Sequence, residues 1–436
     1  MRNIRSNALW ALVIALGFSA CKSAKPGAAS GEPTIDIHEV SRIEKTLSAD
    51  DMAGRKVFSP GIDKAAAFIA AEFEKAGLQR PDNGNGYLQT FSMLKPTQVS
   101  ATAVIDGRDL PAGEFVVVTG QPTLSVTPES GYEIVSIEKG ANIFQKANEH
   151  IGSGKNRLVM VDTSFSKNFP RLAFFKRQMM ETATSTIFIL GQDKPSAFRV
   201  DATHTIERSS LSNVVGILPG KSRKNEYVIF SGHYDHLGIG KPLNGDSIYN
   251  GANDDAAGTT AVIMLANYFK QLNNNERTII FAAFTAEESG GYGATYFSRQ
   301  FDPAQVMAMF NIEMIGTESK WGTNSAYITG YDKTNMGEIL AKNLQGSGFT
   351  FHPDPYPDQQ LFYRSDNATL ARLGVPAHTI STSKMDSEKY YHTADDEFET
   401  LDMENMTRII RAIAISSRTI VAGQDTPSRV NTSDLR

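Results

Sequence analysis

Several carboxylates and two histidines in this chain fall where apolar runs end. "SGHYDHLG" (231–238) closes one run with His233 and Asp235, and "TAEESG" (285–290) closes another with Glu287 and Glu288. "GANDDAAG" (251–258) brings Asp254 and Asp255 into a loop ahead of a helical stretch. "NIEMIG" (311–316) ends an apolar strand on Glu313, and "YYHTADD" (390–396) supplies His392. Buried carboxylates repel one another and resist losing water, so a cluster of them carries a large cost unless something neutralises it. A divalent cation removes that conflict. Imidazole with carboxylate suits zinc, with cobalt or manganese as alternatives. The chain lacks a His-Glu-x-x-His helix and a cysteine ligand set. Dispersed His and acidic ligands on strand ends instead suit a pair of ions about 3.5–4 Å apart, sharing one carboxylate.

Such residues converge only if the strands lie side by side and end on one face. From about 206 to 421 the sequence alternates apolar strands with helices. "EYVIFSGHYD", "RTIIFAAFTAEE", "MAMFNIEMIG" and "VPAHTIS" read as strands, and "GTTAVIMLANYFKQL" and "ENMTRIIRAIAISSRTIVAG" as helices. The fold class expected is α/β, a mostly parallel central sheet covered by helices on both faces. Sites in such folds lie at the carboxyl ends of the strands. A leading helical segment, 37–96, belongs with this domain. Between them, 97–205 reads as an inserted β-rich domain of short β-branched runs, with a helical stretch over 171–183. Residues 422–436 read as a loose polar tail.

Residues 1–20 read as a signal peptide. Arg2 and Arg5 precede "ALWALVIALGF", an apolar run too short to span a bilayer. "SAC" then resembles a bacterial lipoprotein signal, with Cys21 acylated and 21–36 a tether. The expected location is the bacterial cell envelope, with membrane contact only through that lipid. The single cysteine rules out an intrachain disulfide. A net charge of -5 gives no case for nucleic acid as a partner.

In order along the chain, His-x-Asp, Gly-x-Asn-Asp-Asp, Glu-Glu, Asn-x-acid-Met-x-Gly and Tyr-His-Thr resemble the M28 family of zinc aminopeptidases. The leading "DMAGRKVFSPGIDKAAAFIAAEFEKAGL" (51–78) is similar to that family's opening. The resemblance implies one zinc on His233, Asp254 and Glu313, and a second on Asp254, Glu288 and His392. It makes Asp235 the carboxylate that orients His233, and the Asp254–Asp255 bond cis. Glu287 becomes the general base that draws a proton from a hydroxide-forming water between the ions and returns it to the leaving amine. Glu313 stands where the family more often has Asp. Tyr363 and Tyr391 are candidates for oxyanion or substrate contacts. "FYRSDN" departs from the family's Ser-Asp-His by Asn367, which leaves the roles of Ser365 and Asp366 open. The inserted domain is loosely similar to a protease-associated domain.

The activity implied is removal of N-terminal residues from peptides. A one-zinc acyltransferase of the glutaminyl-cyclase kind, a carboxypeptidase and a catalytically inactive binding protein are the alternatives. Retention of every ligand type argues against the last. Other residues take plainer roles. His236 reads as a loop or supporting residue rather than a third imidazole ligand. His378 reads as a hydrogen-bonded strand histidine, and Asp395 and Asp396 as turn residues. "GILPGKS" (216–222) has the wrong glycine spacing for a phosphate loop. No Gly-x-Ser-x-Gly elbow supports a serine hydrolase.

Overall fold

Helix α1, Ile37–Leu47, starts where the Asp36 side chain accepts the His38 amide, which would otherwise go unpaired. Helix α2, Pro60–Lys75, places proline in its first turn, where a missing N–H costs nothing. Val40, Ile43 and Leu47, then Ile62, Ala65, Ile69 and Phe73, recur at three- and four-residue spacing and are buried. The computed structural model describes residues 32–435 apart from 83, 192 and 193, so the signal peptide, Cys21 and most of the tether lie outside the described residues. Thr34–Arg436 form one compact unit.

The chain continues through β1 (Leu88–Ile105), β2 (Phe115–Val118), β3 (Glu133–Ile137), α3 (Ile143–Ile151), β4 (Arg157–Val161), β5 (Thr186–Leu190) and β6 (Phe198–Leu218). Next come β7 (Arg223–His233), α4 (Ala257–Leu272), β8 (Arg277–Phe284), β9 (Val306–Ile312), β10 (Ser325–Ile328), β11 (Thr350–Pro353), β12 (Ala377–Ser381) and α5 (Met403–Ser416). The main sheet runs β11–β10–β12–β9–β7–β8–β6–β1. Its centre is parallel: β7 pairs with β8 and β9, and β9 with β12. β6 and β1 extend it antiparallel on one side, and β10 joins antiparallel on the other.

Alternation along the central strands builds two cores. Val228, Phe230, Ile279, Phe281 and Ala283 face one cluster with α1, α2, α4 and α5. Ile229, Ile280, Ala282 and Phe284 face a second, on the opposite side. Phe230 stacks against Phe269, Phe281 and Phe310. Both faces are covered, so these strands carry no polar alternation and read as unbroken apolar runs.

The stretch 97–205 is continuous with the main sheet. β1 and β6 pair from Leu88↔Val214 to Ile105↔Phe198, so the expected boundaries near 97 and 205 fall inside both strands. The far ends of this ribbon pack under a second sheet, β2–β5–β4–β3, with Ala103, Val117, Leu158, Ile187 and Val200 between them. The helix expected over 171–183 is instead a 3₁₀ turn, Phe169–Lys176, and then Met179–Met180 pair with Met93–Leu94 of β1. Pairing along a neighbouring strand edge outweighs the local helical pattern there.

The tail is not loose. Arg277, buried, donates to the Ile420 and Asp425 carbonyls and to Thr426 Oγ1, and Arg429 donates to the Val306 carbonyl. No helix among the described residues is long and apolar enough to cross a membrane.

Glu44 of α1 is fully buried beneath α4, where its Oε2 accepts from Thr260 Oγ1. Burial pushes its carboxyl from 4.5 up to about 8, against the Thr260 hydrogen bond and the nearby Arg55 charge. The folded value lies above the unfolded one, so the stabilisation is complete below pH 4.5 and is lost as pH rises through about 8. At about 1.4 kcal/mol per pH unit, wild type should lose on the order of 4–5 kcal/mol relative to Glu44→Gln over that window. Urea unfolding of both proteins at the two ends of the window measures it.

Candidate metal centre

Parallel register brings the functional side chains together. His233 at the end of β7 pairs with Phe284 at the end of β8, and Ser231 with Asn311 of β9. The residues that follow, Asp235, Glu287, Glu288 and Glu313, therefore leave the sheet along one rim. An irregular turn, Ala252–Ala256, enters α4 against that rim. The peptide between Asp254 and Asp255 is cis.

Asp255 holds the rim. Its carboxylate accepts from the amides of His233 at 3.1 Å, Gly258 at 3.0 Å and Met314 at 3.0 Å. Glycine is required for so close an approach: a Cβ on Gly258 would lie 2.1 Å from the Ile312 carbonyl oxygen and 2.4 Å from Asp255 Oδ2. Asp396 holds the loop from the other side by accepting the Asn253 and Asp254 amides at 2.9 and 3.0 Å. Arg55 is fully buried and donates to four main-chain carbonyls, of Leu47, Tyr234, Asn250 and Gly251. It thus ties the 234–236 and 250–251 loops to the end of α1. Arg55→Ala leaves those carbonyls unpaired and should cost about 3 kcal/mol or more of stability, read as a lower urea midpoint.

Between these braces lie the ligating atoms. His233 Nε2 is 3.2 Å from Asp254 Oδ1, and His392 Nε2 is 3.3 Å from Asp254 Oδ2. Glu288 Oε1 is 3.2 Å from His392 Nε2 and 3.0 Å from His236 Nδ1. Donor atoms of His233, Asp254 and Glu313 fall within 4.8 Å of one another, and so do those of His236, Asp254 and Glu288. Asp254 belongs to both groups. Among the described residues, His233 Nε2, His236 Nδ1, Glu288 Oε1 and Glu313 Oε2 are buried without a hydrogen-bond partner. Close approach without hydrogen bonding is how a ligand set looks when its atoms point at a common centre. The donor set, imidazole and carboxylate with no thiolate, fits zinc.

Charge is the second sign. Burial pushes Glu287 well above its ordinary value, opposed by His233 and reinforced by Glu313, Asp366 and Glu288. Burial raises Glu313 as well. Burial acts upward on Asp254 too, but contacts with His233 and His392 hold it below its ordinary value. His392 rises to about 10: burial opposes the proton, and Asp254 and Glu288 outweigh it. So many acids crowded around few cations call for added positive charge.

Of the residues singled out by sequence, His233, Asp254, Glu287, Glu288, Glu313 and His392 lie together. Asp235 differs from expectation. Its main-chain carbonyl faces His233 Nδ1 at 3.1 Å, while its carboxylate sits 3.8 Å away and accepts the Glu287 amide at 3.0 Å. The side chain positions Glu287 rather than the histidine. Tyr391 lines the cleft, its ring stacked on His392 at 3.9 Å. Tyr363 does not. It packs on Phe362 beside a different recess with Gly330 and Lys333. Tyr327, which sequence did not single out, lines the cleft and donates to the Ser383 carbonyl. Asn367 is a bracket, donating to the Phe362 and Ala377 carbonyls and accepting from Thr379. His378 bonds Thr334 and the Thr329 carbonyl, as its strand position suggests.

Sequence reading did not single out Arg55; it gave Asp396 a turn role and His236 a loop or supporting role, and it left the role of Asp366 open. Asp366 is buried with both carboxylate oxygens unpartnered among the described residues, and burial lifts it to about 8. The nearest sequence signal for Asp396 was its place four residues after His392.

A family model described as Peptidase family M28 matches residues 213–416. A probable leucine aminopeptidase of Trichophyton verrucosum is 24% identical over 66% of this chain and 81% of its own length. Another from Arthroderma benhamiae is 28% identical over 44% of this chain, and the match spans only about half, 53%, of that relative. Among solved structures, an aminopeptidase from Aneurinibacillus sp. strain AM-1 superposes with a TM-score of 0.52 at 18% identity, over 92% of this chain and 97% of that one. A zinc aminopeptidase from Bacillus subtilis gives 0.54 at 16% identity, over 90% and 96%. At those identities the likeness shows the fold.

Proposed function

We propose, from the match of the Peptidase family M28 model to residues 213–416, that this chain is a metal-dependent aminopeptidase using two zinc ions. The observation that carries the reading is the pair of ligand groups sharing Asp254, with Glu287 lining the same cleft. His233 and Glu313 with Asp254 would hold one ion, and Glu288 and His392 with Asp254 would hold the other. When bound, the ions acidify the attacking water and polarise the scissile carbonyl.

The remaining work falls to the protein. Glu287 takes a proton from the attacking water at its carboxylate and delivers it to the leaving amine, acting as base and then as acid. The Asp235 carboxylate, bonded to the Glu287 amide, fixes where that carboxylate stands. Tyr391 borders the cleft beside His392 and is placed to contact the substrate.

Hydrolysis of free and N-blocked aminoacyl-arylamides, with and without a zinc chelator, tests the reading. Chelator-sensitive cleavage confined to free-amine substrates supports it. Cleavage of blocked substrates, of C-terminal residues only, or cyclisation of N-terminal glutamine would replace it with one of the alternatives. We also propose that Cys21 carries lipid and holds the enzyme on the bacterial cell envelope. Palmitate labelling that survives Cys21→Ser would rule this out.

A further inference from the structure

We infer that His236 is a direct ligand, through Nδ1, of the metal ion held by Asp254, Glu288 and His392. The inference rests on the metal-centre reading and extends the ligand set that the resemblance implies. His236 Nδ1 lies 3.0 Å from Glu288 Oε1 and 4.0 Å from Asp254 Oδ2. Its side chain is wholly buried, so it cannot turn to solvent. Neither Nδ1 nor Glu288 Oε1 makes a hydrogen bond among the described residues, although they stand at hydrogen-bonding distance. Two atoms that near, without donor-acceptor alignment, are aimed past each other at a third point. The same Glu288 oxygen meets His392 Nε2 at 3.2 Å, with the two imidazole rings edge to face and 5.8 Å between centroids. Two imidazole nitrogens thus approach one carboxylate oxygen from different directions, as they do around a shared cation.

Backbone placement keeps the ring there. His236 donates its amide to the Arg55 carbonyl, and its ring lies against Gly251. A Cβ on Gly251 would come 2.5 Å from His236 Cγ and Cδ2. The absence of a side chain at Gly251 is therefore what admits the imidazole. The result is an unequal pair. The half with Glu288 has two imidazoles and two carboxylates, a closed set for zinc, whereas the half with Glu313 has one imidazole and two carboxylates. The ion on the Glu313 half is then the more exchangeable.

Proton NMR of the cobalt-loaded wild-type protein tests this without a variant. Each ligating imidazole keeps one N–H, which gives one exchangeable, paramagnetically shifted signal. Three such signals are expected, from His233, His236 and His392, and two would overturn the proposal. Zinc titration of the metal-free protein with His236→Asn is the second arm. Asparagine keeps an N–H at similar reach, so it preserves any hydrogen bond to Glu288 but is a poor zinc ligand. One of the two affinities should fall about 10- to 100-fold and the other hold. Two unchanged affinities would overturn the proposal. A wild type that takes up no metal would instead overturn the metal-centre reading itself.

Discussion

Glu287→Gln will keep its metal and lose about 10³- to 10⁴-fold in kcat, the range expected when a general base is removed. Glutamine has the shape of glutamate but cannot accept a proton at neutral pH. The bond to the Asp235 carboxylate is donated by the Glu287 main-chain amide and survives the change. Glu287 is absent from both groups of ligating atoms, so metal content should match wild type by elemental analysis. KM should move little, since the carboxylate serves the proton and not the bound peptide. Turnover within tenfold of wild type would remove Glu287 from the mechanism. Loss of zinc together with activity would make it a ligand.

Asp254→Asn should have the largest effect on metal. Its two oxygens face different histidines, Oδ1 toward His233 and Oδ2 toward His392. One substitution therefore weakens both halves at once, and zinc content should fall from about two equivalents to near none at micromolar metal. Glu288→Gln and Glu313→Gln each touch one half and should each cost about one equivalent. That contrast separates a shared ligand from a general structural defect. The backbone bonds from Asn253 and Asp254 to Asp396 do not involve the Asp254 side chain, so the metal-free variant should keep the wild-type circular dichroism. Retention of one tightly held zinc in Asp254→Asn would refute the shared role.

The parts of this molecule that sequence exposes are those where one physical demand dominates. β8 is buried along its whole length, so from Ile279 to Phe284 its residues are apolar without alternation, and its position was plain. The acids and His233 stood out because charge follows directly on such strands. Other parts answer to contacts far along the chain. Arg55 is ordinarily a surface residue type, and nothing local marks its four carbonyl partners, two of which lie nearly 200 positions away. Tyr363 and Tyr391 look alike in sequence, but only the second shares the turn that carries His392 and lines the cleft. The helix expected over 171–183 gave way to the 3₁₀ turn at Phe169–Lys176 and to pairing of Met179–Met180 with Met93–Leu94, a partner that helical spacing cannot reveal. The tail looked loose because its anchors, Arg277 and Arg429, belong to other elements or bind main chain.

Asp255 also sets a clock for the site. The amides of His233, Gly258 and Met314 come from three separate segments, and all end on its one buried carboxylate. Displacing that carboxylate would free all three amides for exchange with solvent deuterium at once. Their exchange, corrected for each amide's intrinsic rate, should therefore report a single common opening free energy, with the strand end, the helix start and the loop after β9 opening as one unit.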